Sequence, residues 1–345
     1  MKIEHLQKIA VFQALQLGDM LCSIPAIKAL RKACPNAEIV LIGLSWAESF
    51  IKRFDRYFNR FIHFPGYPGL PEQPYDEQVF EKFMDDMLEE NFDLLIQMQG
   101  NGTVVNELVF QMGANYVAGY HNQDCRVNSE LFMEYPEGIY EATKHLLLME
   151  HFGIKTQEAK LEFIFIEEDL MAFEQIKTMF LQHKYVCVHP GSRGSWRRWP
   201  GRYFAMVANY CIEKGYTVVV TGTEDEYEIA NNMIQHVKGG VINLVGKTTL
   251  GSLAILIKNA SMLISNCTGI SHIAVATKTP SIIISMDGEP ERWAPVNKRR
   301  HIMFDWTKQQ KLENVLMKTA FLIKAVERGI SDGIGITRVP TLYRH

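Results

Sequence analysis

The stretch Met262-Leu-Ile-Ser-Asn-Cys-Thr-Gly-Ile-Ser-His-Ile-Ala-Val-Ala276 decides how the rest of the chain is read. A short apolar run gives way to a polar turn, and apolar residues then recur at helical spacing. That order predicts a buried strand, a tight turn and a helix that opens at Gly269. The first N–H groups of a helix have no partner within it, and the helix dipole favours negative charge there. Thr268 and Gly269 stand at that position, so the turn suits a phosphate or diphosphate. His272, one helical turn further on, is placed to reach the same spot.

Working outward, the same rhythm recurs through the second half. Strands are expected at 185–189, 217–221, 261–265 and 281–285, with helices at 202–214, 225–237, 250–259 and 269–277. Strands alternating with helices imply a parallel, doubly wound α/β sheet. The first half starts the same way, with a strand at Ile9-Ala-Val-Phe12 and a turn at Leu17-Gly18-Asp19. A helix follows over 24–31, with Pro25 in its first turn, where proline is tolerated, and a stop at Cys34-Pro35-Asn36. Further strands are expected at 37–42, 94–97 and 116–120. The charged helical stretch from Phe165 to His183 holds the boundary, dividing the chain into domains 1–175 and 176–308, with a long helix over 309–328 in the terminal segment 309–345.

Bulk properties narrow the function. A length of 345 residues suggests two domains, and a formal charge of −3 offers no general attraction for nucleic acid. No apolar run approaches the ~20 residues of a membrane span, and the N-terminal residues lack the pattern of a signal peptide. Cysteines 22, 34, 125, 187, 211 and 267 are scattered, without a C-x-x-C pair. Neither a zinc site nor a disulfide framework is expected, and a cytoplasmic location fits.

Ligands of open parallel sheets bind beyond the carboxyl ends of the strands. Besides Thr268-Gly269, two other such ends carry suggestive residues. After Val188 comes His189-Pro-Gly-Ser-Arg-Gly-Ser-Trp-Arg-Arg-Trp-Pro200, where Gly191 and Ser192 permit close backbone approach and Arg193, Arg197 and Arg198 offer charge for a phosphate. After Val220 comes Thr221-Gly-Thr-Glu224, whose carboxylate could accept from sugar hydroxyls or simply stabilise a helix start. Taken singly, each turn is also explained by ordinary turn chemistry; three on one edge are harder to dismiss. None fits a P-loop or a G-x-G-x-x-G fingerprint. In the first half, Asp19 is either a helix cap or an acid facing a ligand gap. The stretch Ser49–Ile62 reads as an amphipathic helix whose basic face holds Arg53, Arg56 and Arg60, either solvated or touching anionic lipid headgroups or acceptor phosphates.

These residues together resemble the lipopolysaccharide heptosyltransferases and their relatives, glycosyltransferase family nine, of GT-B fold. The likeness lies in Leu17-Gly18-Asp19 with Ile24-Pro25-Ala26-Ile27-Lys28-Ala29-Leu30-Arg31, Pro35 and Ala37. It continues in His189-Pro-Gly-Ser, Arg197-Arg-Trp199-Pro200, Thr221-Gly-Thr-Glu224 and Asn243-Leu-Val-Gly246-Lys-Thr. Asn266-Cys-Thr268-Gly269, Ser271-His272-Ile-Ala274, Pro280 and Trp293-Ala-Pro295 complete it. It covers most of residues 8–43 and 185–296, and 44–184 only loosely.

The resemblance implies two Rossmann-like domains facing a cleft, the first binding the acceptor and the second a nucleotide-diphosphate sugar, with 309–345 packing back on the first domain. It implies Asp19 as catalytic base, Arg197 at the diphosphate, Ser192 near phosphate, and Glu224 at the ribose. Thr268, Gly269 and His272 would lie on the phosphate-binding helix start. The expected reaction is inverting transfer of a heptose or related sugar from an ADP-sugar to a lipopolysaccharide core or similar lipid-linked glycan. It would use no metal and no further cofactor, on the inner face of the cytoplasmic membrane. The chain departs at Cys267, where the family usually has Asp beside the donor. A non-heptose donor, or a catalytically silent nucleotide-sugar-binding protein, is the alternative.

Overall fold

The computed structural model describes residues 3–124, 127, 130–178 and 184–329. Cys125 and the tail 330–345 lie outside the described residues. The chain forms two units, Met1–Ile164 and Phe165–His345.

In the first unit the strands are β1 (Lys8–Phe12), β2 (Glu38–Gly43), β3 (Arg60–His63), β4 (Leu94–Gln97), β5 (Tyr116–His121) and β6 (Phe132–Glu134). They form one parallel sheet in the order β3-β2-β1-β4-β5-β6. The helices are α1 (Leu17–Ala33), α2 (Ala47–Ile51), α3 (Glu77–Glu90), α4 (Val105–Phe110) and α5 (Glu141–His151). The central strands are apolar on both faces because helices cover both sides. Phe12, Phe64, Phe83 and Phe92 fill one layer of that core.

The second unit repeats the plan. Its strands are β7 (Tyr185–His189), β8 (Thr217–Val220), β9 (Val241–Asn243), β10 (Met262–Asn266), β11 (Ser281–Ser285) and β12 (His301–Asp305), ordered β12-β11-β10-β7-β8-β9. Its helices are α6 (Glu167–Lys177), α7 (Gly201–Glu213), α8 (Tyr227–Ile234), α9 (Leu250–Asn259), α10 (Gly269–Thr277), α11 (Pro290–Trp293) and α12 (Leu312–Glu327). Counted from its own first strand, this sheet has the same order as the first. Each is a Rossmann-like sheet with one break in strand order, at β1/β4 and at β7/β10.

Four structural features stand beside those expectations. First, the two units divide at Ile164/Phe165. Phe173 and Ile176 bury one face of α6, and α6 packs on α9, where a Cβ on Gly251 would come within 1.6 Å of Asp169 Oδ1. Only glycine allows that approach. Second, α12 packs against α7 and β11. Val315, Leu322, Ile323 and Ala325 join the core of the second unit. Third, α1 opens at Leu17, so Leu17-Gly18-Asp19 is its first turn and Pro25 lies in its interior. Pro25 has no N–H to give the Leu21 carbonyl, a loss that burial of the helix tolerates.

Fourth, residues 49–62 are not one amphipathic helix. They run from α2 into a 3-10 turn (Lys52–Phe54) and then into β3. Arg53 is buried, donates from Nη1 to the Ile164 carbonyl at 3.1 Å, and stacks 4.6 Å from the Phe163 ring. Arg56 pairs with Glu162 at 3.0 Å, and Arg60 with Glu38 at 2.9 Å and Glu90 at 2.6 Å. These three arginines therefore do not share one face of a helix. They tie strands and loops of their own unit together. Among the described residues no helix is long and apolar enough to cross a membrane.

Candidate functional site

At the break in the second sheet, β10 lies beside β7 with Ser265 opposite His189, and β8 lies on the other side of β7. The turns after β8, β7, β10 and β11 therefore stand next to one another on the carboxyl edge. Parallel pairing of four apolar strands is what delivers residues that are up to about a hundred positions apart in sequence to one rim.

Asn266, the last residue of β10, joins two of these turns. It is fully buried. Its Nδ2 donates to the Pro190 carbonyl at 2.8 Å and to that of Gly191 at 3.2 Å, and its Oδ1 accepts from the Trp199 N–H at 2.9 Å. The loop carrying Arg193, Arg197 and Arg198 is thus anchored at both ends. Trp199 adds an apolar anchor, edge-on to Phe204 and Trp306 at centroid distances of 5.0 and 5.1 Å. Asn266 was quoted in the sequence only as part of a motif. Its role was not readable, because its partners lie 67–76 positions away.

A second buried set lies beneath the same loop. His189 Nδ1 is 3.0 Å from Thr221 Oγ1, and its Nε2 is 3.5 Å from Glu226 Oε2. Glu226 also accepts from the Thr223 N–H at 3.0 Å. Burial alone would raise its carboxyl, yet His189 and Thr223 together hold it below the usual carboxylate range. A Cβ on Gly191 would fall 2.1 Å from the Glu226 carboxyl carbon, so glycine at 191 is a steric requirement of this pair. Glu226 was not picked out from the sequence, although Thr223-x-x-Glu226 carries the capping signature that places it.

The expected site residues fall as follows. Ser192 is buried, and its carbonyl accepts from Arg198 Nε at 2.8 Å. Arg198 therefore holds the loop's backbone, whereas Arg197 keeps 36% of its side chain exposed and pairs through Nε with Asp287 Oδ2 at 3.0 Å. Glu224 is exposed, in a 3-10 turn after β8 and close over Gly246. Thr268 is the extended residue before α10, and Gly269 opens that helix. No acidic side chain occupies the first turn of α10, and Thr268 Oγ1 is buried without a hydrogen-bond partner. His272 is buried, its ring edge-on to Trp293 at 5.7 Å. Cys267 is buried against Ile283 and Trp293. Burial, reinforced by the charge of Asp287, pushes its thiol up to about 12, so it stays protonated at neutral pH.

Asp19 belongs to the first unit, in the first turn of α1, where the helix dipole favours its carboxylate. Beside it, Gln13 donates weakly to the Asp19 carbonyl at 3.4 Å. Among the described residues no group of three or more His, Cys, Asp or Glu could hold a metal ion.

The second unit thus brings to one edge an open helix start at Gly269, Arg197, and carboxylates at the ends of the flanking strands. In an open parallel sheet that rim is where a ligand binds. The family model of glycosyltransferase family 9 (heptosyltransferase) matches residues 80–321, and the chain belongs to that family. By that membership the chain is a glycosyltransferase.

A lipooligosaccharide heptosyltransferase 2 of Haemophilus ducreyi is 22% identical over 322 residues, covering 86% of this chain and 88% of that one. Among solved structures, a glycosyl transferase family 9 protein from Veillonella parvula superposes with a TM-score of 0.76 at 18% identity, covering 96% of this chain and 99% of that one. The Escherichia coli ADP-heptose lps heptosyltransferase II superposes with a TM-score of 0.71 at 19% identity, covering 93% of this chain and all of that one (100%). These likenesses show the fold, two Rossmann-like domains of GT-B type.

Proposed function

We propose that the protein transfers a heptose or closely related sugar, with inversion and without a metal, from an ADP-sugar to a lipopolysaccharide core glycan. The observation that carries the proposal is the convergence of Arg197, the α10 helix start and the carboxylates of the neighbouring strand ends on one edge of the second sheet. The names of the similar heptosyltransferases support donor and acceptor.

In this reading an acceptor hydroxyl attacks the anomeric carbon and gives its proton to Asp19. The bond from that carbon to the diphosphate oxygen breaks, and ADP departs. The terminal nitrogens of Arg197, the N–H groups at Thr268 and Gly269, and the Thr268 hydroxyl stabilise the charge gathering on the diphosphate. Ser192 lines the phosphate side. His272, packed on Trp293, supports the helix that presents those N–H groups. Glu224 accepts from the ribose hydroxyls. A lipid-linked acceptor places the reaction at the inner face of the cytoplasmic membrane.

Release of ADP from ADP-heptose in the presence of heptose-deficient lipopolysaccharide is the direct test. Acceptor-dependent release is the expected result. Absence of both binding and release with any ADP-sugar rejects the reading. Cys267 favours a second reading, a donor other than heptose, and a panel of ADP-sugars in the same assay separates the two.

A further inference from the structure

At the rim of the second unit, the carboxylate is not where β10 would put it. The turn after β10 begins with Cys267, whose thiol is buried against Ile283 and Trp293 and carries no charge. The adjacent strand supplies one instead. Two residues past the end of β11, Asp287 Oδ1 accepts from the Ser285 hydroxyl at 2.9 Å, and Oδ2 faces Arg197 Nε at 3.0 Å. Its side chain is only 10% exposed, so it is held rather than mobile. The geometry points to Asp287 as the specificity-determining residue that reads the sugar of the donor, in a position that β11 rather than β10 provides. This rests on the reading of the second unit as the ADP-sugar site.

Three features support the assignment. The ion pair is not a closed one: neither Arg197 Nε nor Asp287 Oδ2 has a hydrogen-bond partner of proper geometry, although both are buried. The pair is held by charge at 3.0 Å without hydrogen-bond geometry, and a polyol hydroxyl, which both donates and accepts, would give both atoms a hydrogen bond. Next, Ser285 is fully buried and pins Oδ1 in place, while each carboxylate oxygen keeps a second lone pair for a ligand. Finally, the charge of Arg197 acts both on this carboxylate and on Cys267, the residue before Thr268. A group recognised by Asp287 is thereby adjacent to a diphosphate recognised by the other end of Arg197, which is the connectivity of a nucleotide-diphosphate sugar.

The test compares affinities for ADP and for ADP-heptose by calorimetry, in the wild type and in Asp287→Asn and Asp287→Ala. The ratio of the two dissociation constants isolates the sugar, because any change at Arg197 or the diphosphate affects both ligands alike. A thermal melt of each variant confirms that it is folded, and the alanine variant serves should the asparagine variant not fold. Loss of one charge-assisted hydrogen bond is expected to shrink the sugar's contribution by about tenfold, with ADP retained. A ratio within about twofold of wild type in both variants overturns the role of Asp287 while leaving the donor site intact. A wild-type protein that binds neither ligand overturns the donor reading itself, and the inference with it.

Discussion

At the break in strand order the first unit presents buried amides beside the carboxylate of Asp19, and the second presents ion pairs. Around β1 and β4, Gln99 Oε1 accepts from the Ala14 N–H at 2.7 Å, Gln97 donates to the Gln99 carbonyl at 2.7 Å, and Gln13 is buried beside them. Around β7 and β10 stand His189 with Glu226, Arg197 with Asp287, and an unguarded helix start. Two sheets of identical strand order thus end in different chemistry. The scaffold sets where a ligand can bind, and the turn residues set which one. Neutral amides suit hydroxyl-rich groups, and ions suit a diphosphate.

The largest test of this contrast is Asp19→Asn. A single uncharged replacement at the start of α1 should lower turnover roughly 10²–10⁴-fold, the usual span for a general base. ADP affinity, measured on the same variant, should stay near wild type because the proposed ADP site belongs to the other unit. Turnover close to wild type would remove Asp19 from the chemistry.

Next in size is Asn266→Ala. It deletes three buried hydrogen bonds that join two turns, an expected cost of roughly 2–4 kcal/mol. Scanning calorimetry should show a Tm lower by several degrees, together with weaker ADP binding. Loss of stability with unchanged ADP binding would mean that the turns hold their places without the asparagine.

The most gradual effect, spread over a pH range, separates the two units by acid response. His301 in β12 is buried beside Ser281, and burial lowers its pKa to about 3. Below about pH 6.5 the unfolded chain takes a proton that the folded one refuses, so stability is lost as pH falls from there toward 3. In the first unit, Glu90 is lowered to about 2, chiefly by its bond to Arg60, so its contribution is lost only as pH falls below about 4.5. Mild acid should therefore loosen the second unit first. Trp199 and Trp306 lie in its core and report it by fluorescence. The His301→Gln variant should flatten the slope between pH 6.5 and 4, by at most about 1.4 kcal/mol per pH unit. An unchanged slope would assign the acid response elsewhere.

The central strands were legible because β7, β8, β10 and β11 are unbroken apolar runs bounded by turn residues. The edge strands β3, β9 and β12 were not. They are short, and most of their residues are half-buried, so they lack both a continuous run and a clean alternation. The turn at Thr268-Gly269 was readable because a helix start depends on neighbours in sequence. Asp287 was not, since its meaning comes from Arg197, ninety positions earlier. Arg53 misled for the same reason. Helical periodicity placed it on a basic face, but the carbonyl of Ile164 and the ring of Phe163 draw it inside.

The three hydrogen bonds of Asn266 have a dynamic consequence. The turn after β10 and the loop from Pro190 to Trp199 cannot open independently, because either motion breaks the same side chain's contacts. Their amide protons should exchange with solvent as one block, at one opening free energy. A ligand gripping only Thr268 and Gly269 would then slow exchange at Trp199 as well, across a stretch it never touches.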